Sequence, residues 1–463
     1  MAQPRVIVVG TGPAGVRCAE TLVAAGLSPT VVDEGRRDGG QIYRRQPEGF
    51  TRPYAKLYGS EATKAEHLHR SFEAIRSKVD YRPDTLAWNV TANTLHVVHD
   101  GTRTAALPFD ALVVCSGATD RLMPIEGWHL AGCYSLGASQ IALKSQACAI
   151  GKRVVFMGTG PLLYLVASQY VQAGATVLAV LDTSRFSQLV RALPALAARP
   201  GLLLKGMALN RILRKAGVPV HSGITPLRIT GAAATGVQGV TVLDANGSEQ
   251  HFDCDSVALG YHLRAESQLA DLARCEFRFD VESRQWLPRI DGDGRSTTAG
   301  VYLAGDGARI LGADGAEAAG RLAALAVLSD LGRRASPDQM PALRRTLDKM
   351  DRFRRGLIKA FPWPHAQAAA LSDSAVVCRC ETITAGELRR VVNDMGGTEM
   401  NRAKAFSRVG MGRCQGRFCG HAAAEVVAHA AGVPIEMVGR LRGQGPVKPL
   451  PMAALENAGA ANV

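Results

Sequence analysis

The chain is 463 residues long, 47% hydrophobic and 21% charged, a make-up that fits a globular protein of two to four domains. No apolar run reaches the roughly 18–20 residues of a membrane span. No export signal is recognisable at the start, so a cytoplasmic location with reduced thiols is expected, with peripheral attachment at an inner membrane left open. The net charge of +13 comes from scattered arginines without an aromatic-interleaved basic strip, which argues against nucleic acid as a partner.

Residues 5–9, RVIVV, are a short apolar run of the kind found in buried parallel strands. Gly10-Thr-Gly12-Pro13-Ala14-Gly15 follows at once, then a helical pattern, then a second strand, PTVVD, ending at Asp33. This is a βαβ unit with the dinucleotide fingerprint in its proper context. Gly10 permits the tight turn, Gly12 admits a pyrophosphate to the backbone, and Gly15 lets helix and strand close. The helix that starts at Pro13 and Ala14 offers its N-terminal amides, from Ala14 on, and its positive dipole end to phosphate. Asp33 is placed to bind an adenosine ribose; the adjacent Glu34 is the alternative reader, and strand register favours Asp33. A glycine pair follows in EGRRDGGQIYRR, and Gly40, Gln41 and Arg45 are assigned to the same cofactor. Tyr43, Arg44 and Arg45 either touch flavin phosphate or substrate, or only line the domain face.

DALVVCSGATDRLMPIEGW, residues 110–128, reads as a strand-and-glycine crossover out of the first domain, with Gly117 as a further cofactor contact. Residues 153–182 repeat strand, Gly158-x-Gly160, helix and strand. Leu163 stands where the third glycine belongs, and Asp182 ends the second strand one place late. Two readings stay open: a fold that lost its nucleotide and one that keeps a structural nucleotide. Reduction of the flavin by NAD(P)H is not expected. Residues 184–216 read as a helical insertion turning at Pro200-Gly201, and residues 255–269 as the strand that returns. GVYLAGDGA then delivers Gly305 and Asp306 in a pattern that resembles the two-dinucleotide-domain flavoproteins, which hold the ribitol and phosphate of FAD there. Three signals in the right order point to FAD.

A helical connector, 335–370, is broken by Pro362 and Pro364. Beyond it lie Cys378-Arg-Cys380 and Cys414-Gln-Gly-Arg-Phe-Cys419. Two thiolate pairs so spaced can close on a [2Fe–2S] cluster, which needs four thiolates. A Zn(Cys)₄ site competes, although its knuckles usually space cysteines by two to four residues. Arg379, Arg413 and Arg417 either raise the cluster's readiness to accept an electron or only solubilise the loop. His421 either tunes the cluster by hydrogen bonding or, as the favoured reading, lies at the surface. The other cysteines, Cys18, Cys115, Cys133, Cys148, Cys254 and Cys275, are isolated, so no C-x-x-C pair exists and a disulfide reductase is not expected. No catalytic side chain can be assigned.

The expected fold class is α/β: two Rossmann-like dinucleotide-binding domains plus a small, α-rich C-terminal domain. The expected divisions are 1–120 and 271–334 for the two segments of the FAD-binding domain, and 121–270 for the NAD(P)-binding-like domain. The connector 335–370, the cysteine domain 371–440 and a loose tail 441–463 follow.

On the segments GGQIYRRQPEGF, CRCE and GMGRCQGRFCG the chain resembles the large flavoprotein subunit of bacterial hetero-oligomeric amino-acid and opine dehydrogenases. The last two segments resemble a BFD-like (bacterioferritin-associated ferredoxin-like) [2Fe–2S] domain. GGQIYRRQP with a following LYG is closest to the opine oxidase A subunits. The resemblance implies FAD, a [2Fe–2S] cluster on Cys378, Cys380, Cys414 and Cys419, and an FMN at the subunit junction. It also implies a β subunit similar to D-amino-acid oxidase that oxidises the substrate's C–N bond, room for a small γ subunit, and an external electron acceptor. The alternatives are the same role with proline, D-hydroxyproline, sarcosine or glycine (the cyanide-forming case), a stand-alone NAD(P)H-dependent ferredoxin or rubredoxin reductase, and a redox-sensing partner protein.

Overall fold

A computed structural model describes residues 3–50, 52–333 and 337–454. The first body is built on a five-stranded parallel sheet, in spatial order Val301–Leu303, Ala111–Val114, Val6–Val9, Thr30–Val32 and Asp80–Arg82. Val6–Val9 and Ala111–Val114 are apolar throughout and buried on both faces, which is why they read as continuous runs without alternation. One face is covered by the helices Pro13–Ala24 and Gly312–Asp330, which meet closely at Gly320 and Ala14. The other face carries a three-stranded antiparallel meander, Thr85–Thr91, Thr94–His99 and Arg103–Pro108. Its Ala87, Val90, Leu95 and Val97 share a core with Ile7, Val9 and Val114.

The chain leaves and re-enters this body along paired linkers, with Ala118–Asp120 antiparallel to Leu263–Ala265. Between them lies a second parallel sheet, in order Val220–Ser222, Val177–Asp182, Val154–Thr159, Ser256–Tyr261 and Cys133–Ser135. The strands Thr225–Ala232, Gly236–Leu243 and Glu249–Asp253 form its meander. Residues 184–216 hold two helices, Phe186–Leu196 and Pro200–Lys215. The first packs Ala192 and Leu196 against Phe353 and Ala360 of the connector helix, Met340–Ala360.

The C-terminal body is small and mostly helical: Ala385–Met395, Met400–Ser407, Gly420–Ala431 and Ile435–Val438 around one apolar core. Thr384 and Glu387 close a reciprocal capping box at the start of its first helix, as T-x-x-E before an apolar run dictates. Trp128 of the second body donates its indole N–H to the carbonyl of Val376, at the entrance to the cysteine domain.

The tail differs from its expectation over the part that is described. Residues 441–454 are strapped across both bodies: Val447 is 3% exposed in the core under the meander, and its amide donates to Trp88 at 3.1 Å. Lys448 pairs with Glu34 and Ala454 is fully buried. Ala/Gly/Pro composition signalled looseness, but a few well-placed apolar side chains suffice to hold an extended strap. Residues 455–463 lie outside the described part. No helix among the described residues is long and apolar enough to cross a membrane.

Candidate functional site

The fingerprint loop forms a cradle between the first strand and its helix. Gly15 packs so tightly on the Gly10 carbonyl that no side chain would fit. The helix Pro13–Ala24 has no side-chain cap at its start, so its first amides stay open for an anion. The second glycine pair folds back on this loop. Gly39 donates to the Thr11 carbonyl at 2.9 Å. Gly40, at φ +61°, lies so close that an added Cβ would stand 2.7 Å from Gly12 Cα. That approach, unlike the fingerprint glycines, comes from outside the motif.

Asp33 sits at the end of the second strand, half-buried. Its carboxylate accepts from the Thr11 amide and hydroxyl at 2.5 Å and from the Gly35 amide at 2.6 Å. Burial raises its pKa, opposed by those hydrogen bonds. Glu34 points outward to Lys448, so the register argument for Asp33 agrees with the geometry. Asp306 lies in the turn Gly305–Gly307, where Oδ1 alone takes the amides of Leu311 and Gly312 at 2.8 and 3.0 Å. Burial pushes its pKa up to about 6. Gly117, at φ +72°, faces open space beside this turn.

Three residues near the glycine pair are bound within the fold. Arg45, assigned to the cofactor, is held by both oxygens of the buried Asp38 at 2.9 and 3.0 Å and braces the loop. Gln41 is exposed and accepts from Arg44 at 2.8 Å. Tyr43 is fully buried, its hydroxyl donating to Glu61 at 3.0 Å. A short-range pattern locates these residues but says nothing of which carboxylate folds under them.

In the second fold the aspartate that ends the second strand is bound by the fold's own groups. Asp182 is fully buried, accepting from the Tyr164 hydroxyl at 2.6 Å and the Ser184 amide at 2.8 Å. A Cβ on Gly160 would stand 3.3 Å from the His262 ring, so this ring packs against the Gly160 loop. His262 is hydrogen-bonded to the carbonyl of Phe361 in the connector. Trp363, two residues on, is 5% exposed, edge-on to Tyr261 at 6.0 Å, with its indole N–H donating to Glu425 at 3.1 Å.

The four C-terminal cysteines converge although their pairs are far apart in sequence. Cys378 and Cys419 are buried, Cys414 is half-buried and Cys380 exposed. The thiols influence one another electrostatically in the order Cys380, Cys414, Cys419 and Cys378. Among the described residues no group of three or more His, Cys, Asp or Glu is gathered tightly enough around one point to hold a single metal ion. Hydrogen bonding from Cys419, set against burial, lowers the pKa of Cys414 to about 5 and of Cys378 to about 6. The Cys419 thiol is pushed well up by the same two partners. Gly412 lies against Cys380 Cβ, which leaves no room for a side chain there.

The flavoprotein body stitches this loop in place through residues that sequence reading missed. Glu266 accepts from Arg417 at 2.7 and 3.1 Å, and Gln268 donates to the Gln415 carbonyl at 2.7 Å. Glu266 also donates its amide to Gly117 at 3.0 Å, and its carbonyl accepts from Ser116. The crossover beside the cradle and the cysteine loop are thus two hydrogen-bonded steps apart. Arg417, 8% exposed, is this bridge, whereas Arg379 and Arg413 are exposed. His421 is half-buried, not a surface residue: it lines a cavity of about 80 Å³ with Arg264, Gln268 and Trp286. The remaining cysteines are free, and all but Cys148 are buried.

These residues fit a flavin dinucleotide and a four-thiolate cluster: a side-chain-free cradle with open amides, and four converging sulfurs. Residues 4–326 match the family of the pyridine nucleotide-disulphide oxidoreductases. Residues 376–429 match the BFD-like [2Fe-2S] binding domain, and all four cysteines lie within that span. The A subunit of opine oxidase from Rhizobium meliloti is 37% identical over 466 residues, covering 97% of this chain and 86% of that one. This chain belongs to the opine oxidase A-subunit family. The corresponding opine oxidase chain of Agrobacterium tumefaciens is 36% identical, over 97% of this chain and 90% of that one. The HcnB subunit of hydrogen cyanide synthase from Pseudomonas aeruginosa is 29% identical, over 98% of this chain and 99% of that one. L-proline dehydrogenase from P. horikoshii shares the fold, with a TM-score of 0.70 at 18% identity, covering 98% of this chain and 79% of that one. As a member of the opine oxidase A-subunit family, the chain is a flavin and iron–sulfur oxidoreductase subunit.

Proposed function

We propose that this chain is the electron-transfer subunit of a hetero-oligomeric opine oxidase. A partner β subunit oxidises the substrate's C–N bond, and electrons pass through this chain to an external acceptor. The observation that carries the reading is the short link between the two cofactor sites: Gly117 to Glu266, Glu266 to Arg417, and Arg417 to the Cys414 carbonyl at 3.3 Å. A flavin takes a hydride and a cluster takes single electrons, so the two together convert one flow into the other.

On this reading Gly10, Gly12, Pro13, Ala14, Gly15, Gly40 and Gly117 shape the FAD cradle. Asp33 takes the ribose, and Gly305 and Asp306 the ribitol side. Cys378, Cys380, Cys414 and Cys419 hold the cluster. The flavin-binding segments are 1–120 and 271–334, and 371–440 is the cluster domain. Glu266 and Arg417 keep the two sites in fixed register. The internally bound Asp182 of the second fold supports a relay fed by a partner and disfavours a reductase fed by NAD(P)H.

Co-expression with a neighbouring amino-acid-oxidase-like chain, followed by dye reduction across opines, D-hydroxyproline, proline, sarcosine and glycine, tests the proposal. Opine turnover is expected only in the complex. An isolated chain that oxidised octopine or nopaline would overturn it.

A further inference from the structure

Four arginines and two glutamates are packed where the cysteine domain meets the flavoprotein body. Two pairs cancel: Arg417 with Glu266, and Arg284 with Glu425, each at 2.7 Å. Arg264 and Arg121 are left over. Arg264 donates only to carbonyls, those of Arg417 at 3.3 Å and Ala265 at 3.2 Å. Glu266 attracts it through space, but both carboxylate oxygens of Glu266 are bound by Arg417. Arg121, 2% exposed, donates to the carbonyls of Ser283 and Arg284 at 2.7 and 3.2 Å, with its charge 3.9 Å from the Trp363 ring centre. A third cation, the buried Lys404, donates to the Gln444 side chain at 2.9 Å. None of the three is in an ion pair among the described residues.

Burying a cation without an anion is costly, and chains keep such groups where something nearby compensates. The carbonyl that Arg264 holds belongs to Arg417, which lies between Cys414 and Cys419 in the chain. Arg264 also faces the loop residues Gln415 and Gly416 across the cavity, and Lys404 lies on the helix Met400–Ser407, whose Met400 and Ala403 share a core with Cys378 and Cys419. His421, on the cluster helix Gly420–Ala431, lines the same cavity as Arg264. Two ferric ions, two sulfides and four thiolates leave two negative charges on a cluster, and three after reduction. Arg264 and Lys404, outside any ion pair and beside the ligand loop, favour that more negative, reduced form, and Arg121 stands behind them on the carbonyl of Arg284.

We infer that Arg264 and Lys404, with Arg121 behind them, are the counter-charges of the cluster and hold its reduction potential up. They are positioning residues, acting on the iron centre through its ligand loop. The inference rests on the cluster assignment above, and iron and sulfide analysis of the wild-type protein tests that assignment separately.

EPR-monitored redox titration of the full chain tests the inference. R264Q and K404M each shift the cluster midpoint to lower potential, by up to a tenfold loss in the one-electron equilibrium, about 59 mV. R264K, which keeps the charge, restores most of the wild-type value. If R264Q fails to load iron, K404M and R121Q carry the measurement, and both move in the same direction. Loaded variants that all titrate at the wild-type midpoint overturn the inference. Wild-type protein without iron and sulfide overturns the cluster assignment instead.

Discussion

On the proposed reading, Gly40 and Asp306 are the single positions that build the flavin site. Gly40 combines a left-handed backbone, φ +61°, with the 2.7 Å approach of a notional Cβ to Gly12. An alanine there costs about 1–2 kcal/mol in backbone strain alone, and it pushes the two loops apart. G40A is therefore expected to purify with its iron but with much reduced flavin, read from the ratio of the flavin band to protein absorbance. Asp306 works through charge. Its folded pKa is raised to about 6 by burial, so the flavin-free fold binds that proton more tightly than the unfolded chain does. This contribution, at most about 3 kcal/mol, is present below the unfolded value of about 3.9 and is lost as pH rises through the folded one. Between pH 4 and 6 the thermal midpoint of flavin-free wild type should fall relative to D306N. Parallel curves for the two proteins would refute the assignment.

The connector after Ala360 decides what the second dinucleotide fold can do. Phe361 touches His262 over the Gly160 loop, and Trp363 is wedged between Tyr261, Arg121 and Glu425. Loss of the buried indole costs about 3–5 kcal/mol. W363A is expected to unfold at lower denaturant concentration than wild type, and to become sensitive to proteolysis near the connector. The same packing predicts that NADPH neither bleaches the flavin nor binds saturably to the wild-type chain by calorimetry. Rapid bleaching would return the NAD(P)H-dependent reductase to first place. The prolines at 362 and 364 marked the break in the helix, but the docking site of the residues between and around them depends on strands about 100 positions earlier. No local pattern carries that information.

Across the molecule, the strap 441–454 and the Glu266–Arg417 bridge fasten the cysteine domain to the flavoprotein body. Leu441 covers Gly410 and Gly416, Gly443 donates to Asp271, and Val447 accepts from Arg417 at 2.7 Å. A chain ending at Gly445 loses the burial of Val447, about 1.5–3 kcal/mol, and the ion pair of Lys448. Its calorimetric trace should show the cysteine domain melting ahead of the flavin domain, where the full chain melts more cooperatively. A single unchanged transition would show that the strap does not couple them.

The nucleotide cradle and the cysteine ligands were legible because each is a contiguous stretch whose residue types and spacing carry the chemistry: glycines where backbone must approach phosphate, thiols where iron must be held. Arg45 on Asp38, His421 in its cavity, the internally bound Asp182 of the second fold and the anchored strap were not. Each depends on which distant groups happen to face one another, and burial, ion pairing and shape exist only once the chain has closed. Arg264 is the clearest case. In HLRAESQL it is one cation among 54 lysines and arginines. Its charge matters only because packing brings it under a ligand loop far along the chain, where it binds carbonyls and leaves the nearest carboxylate to Arg417.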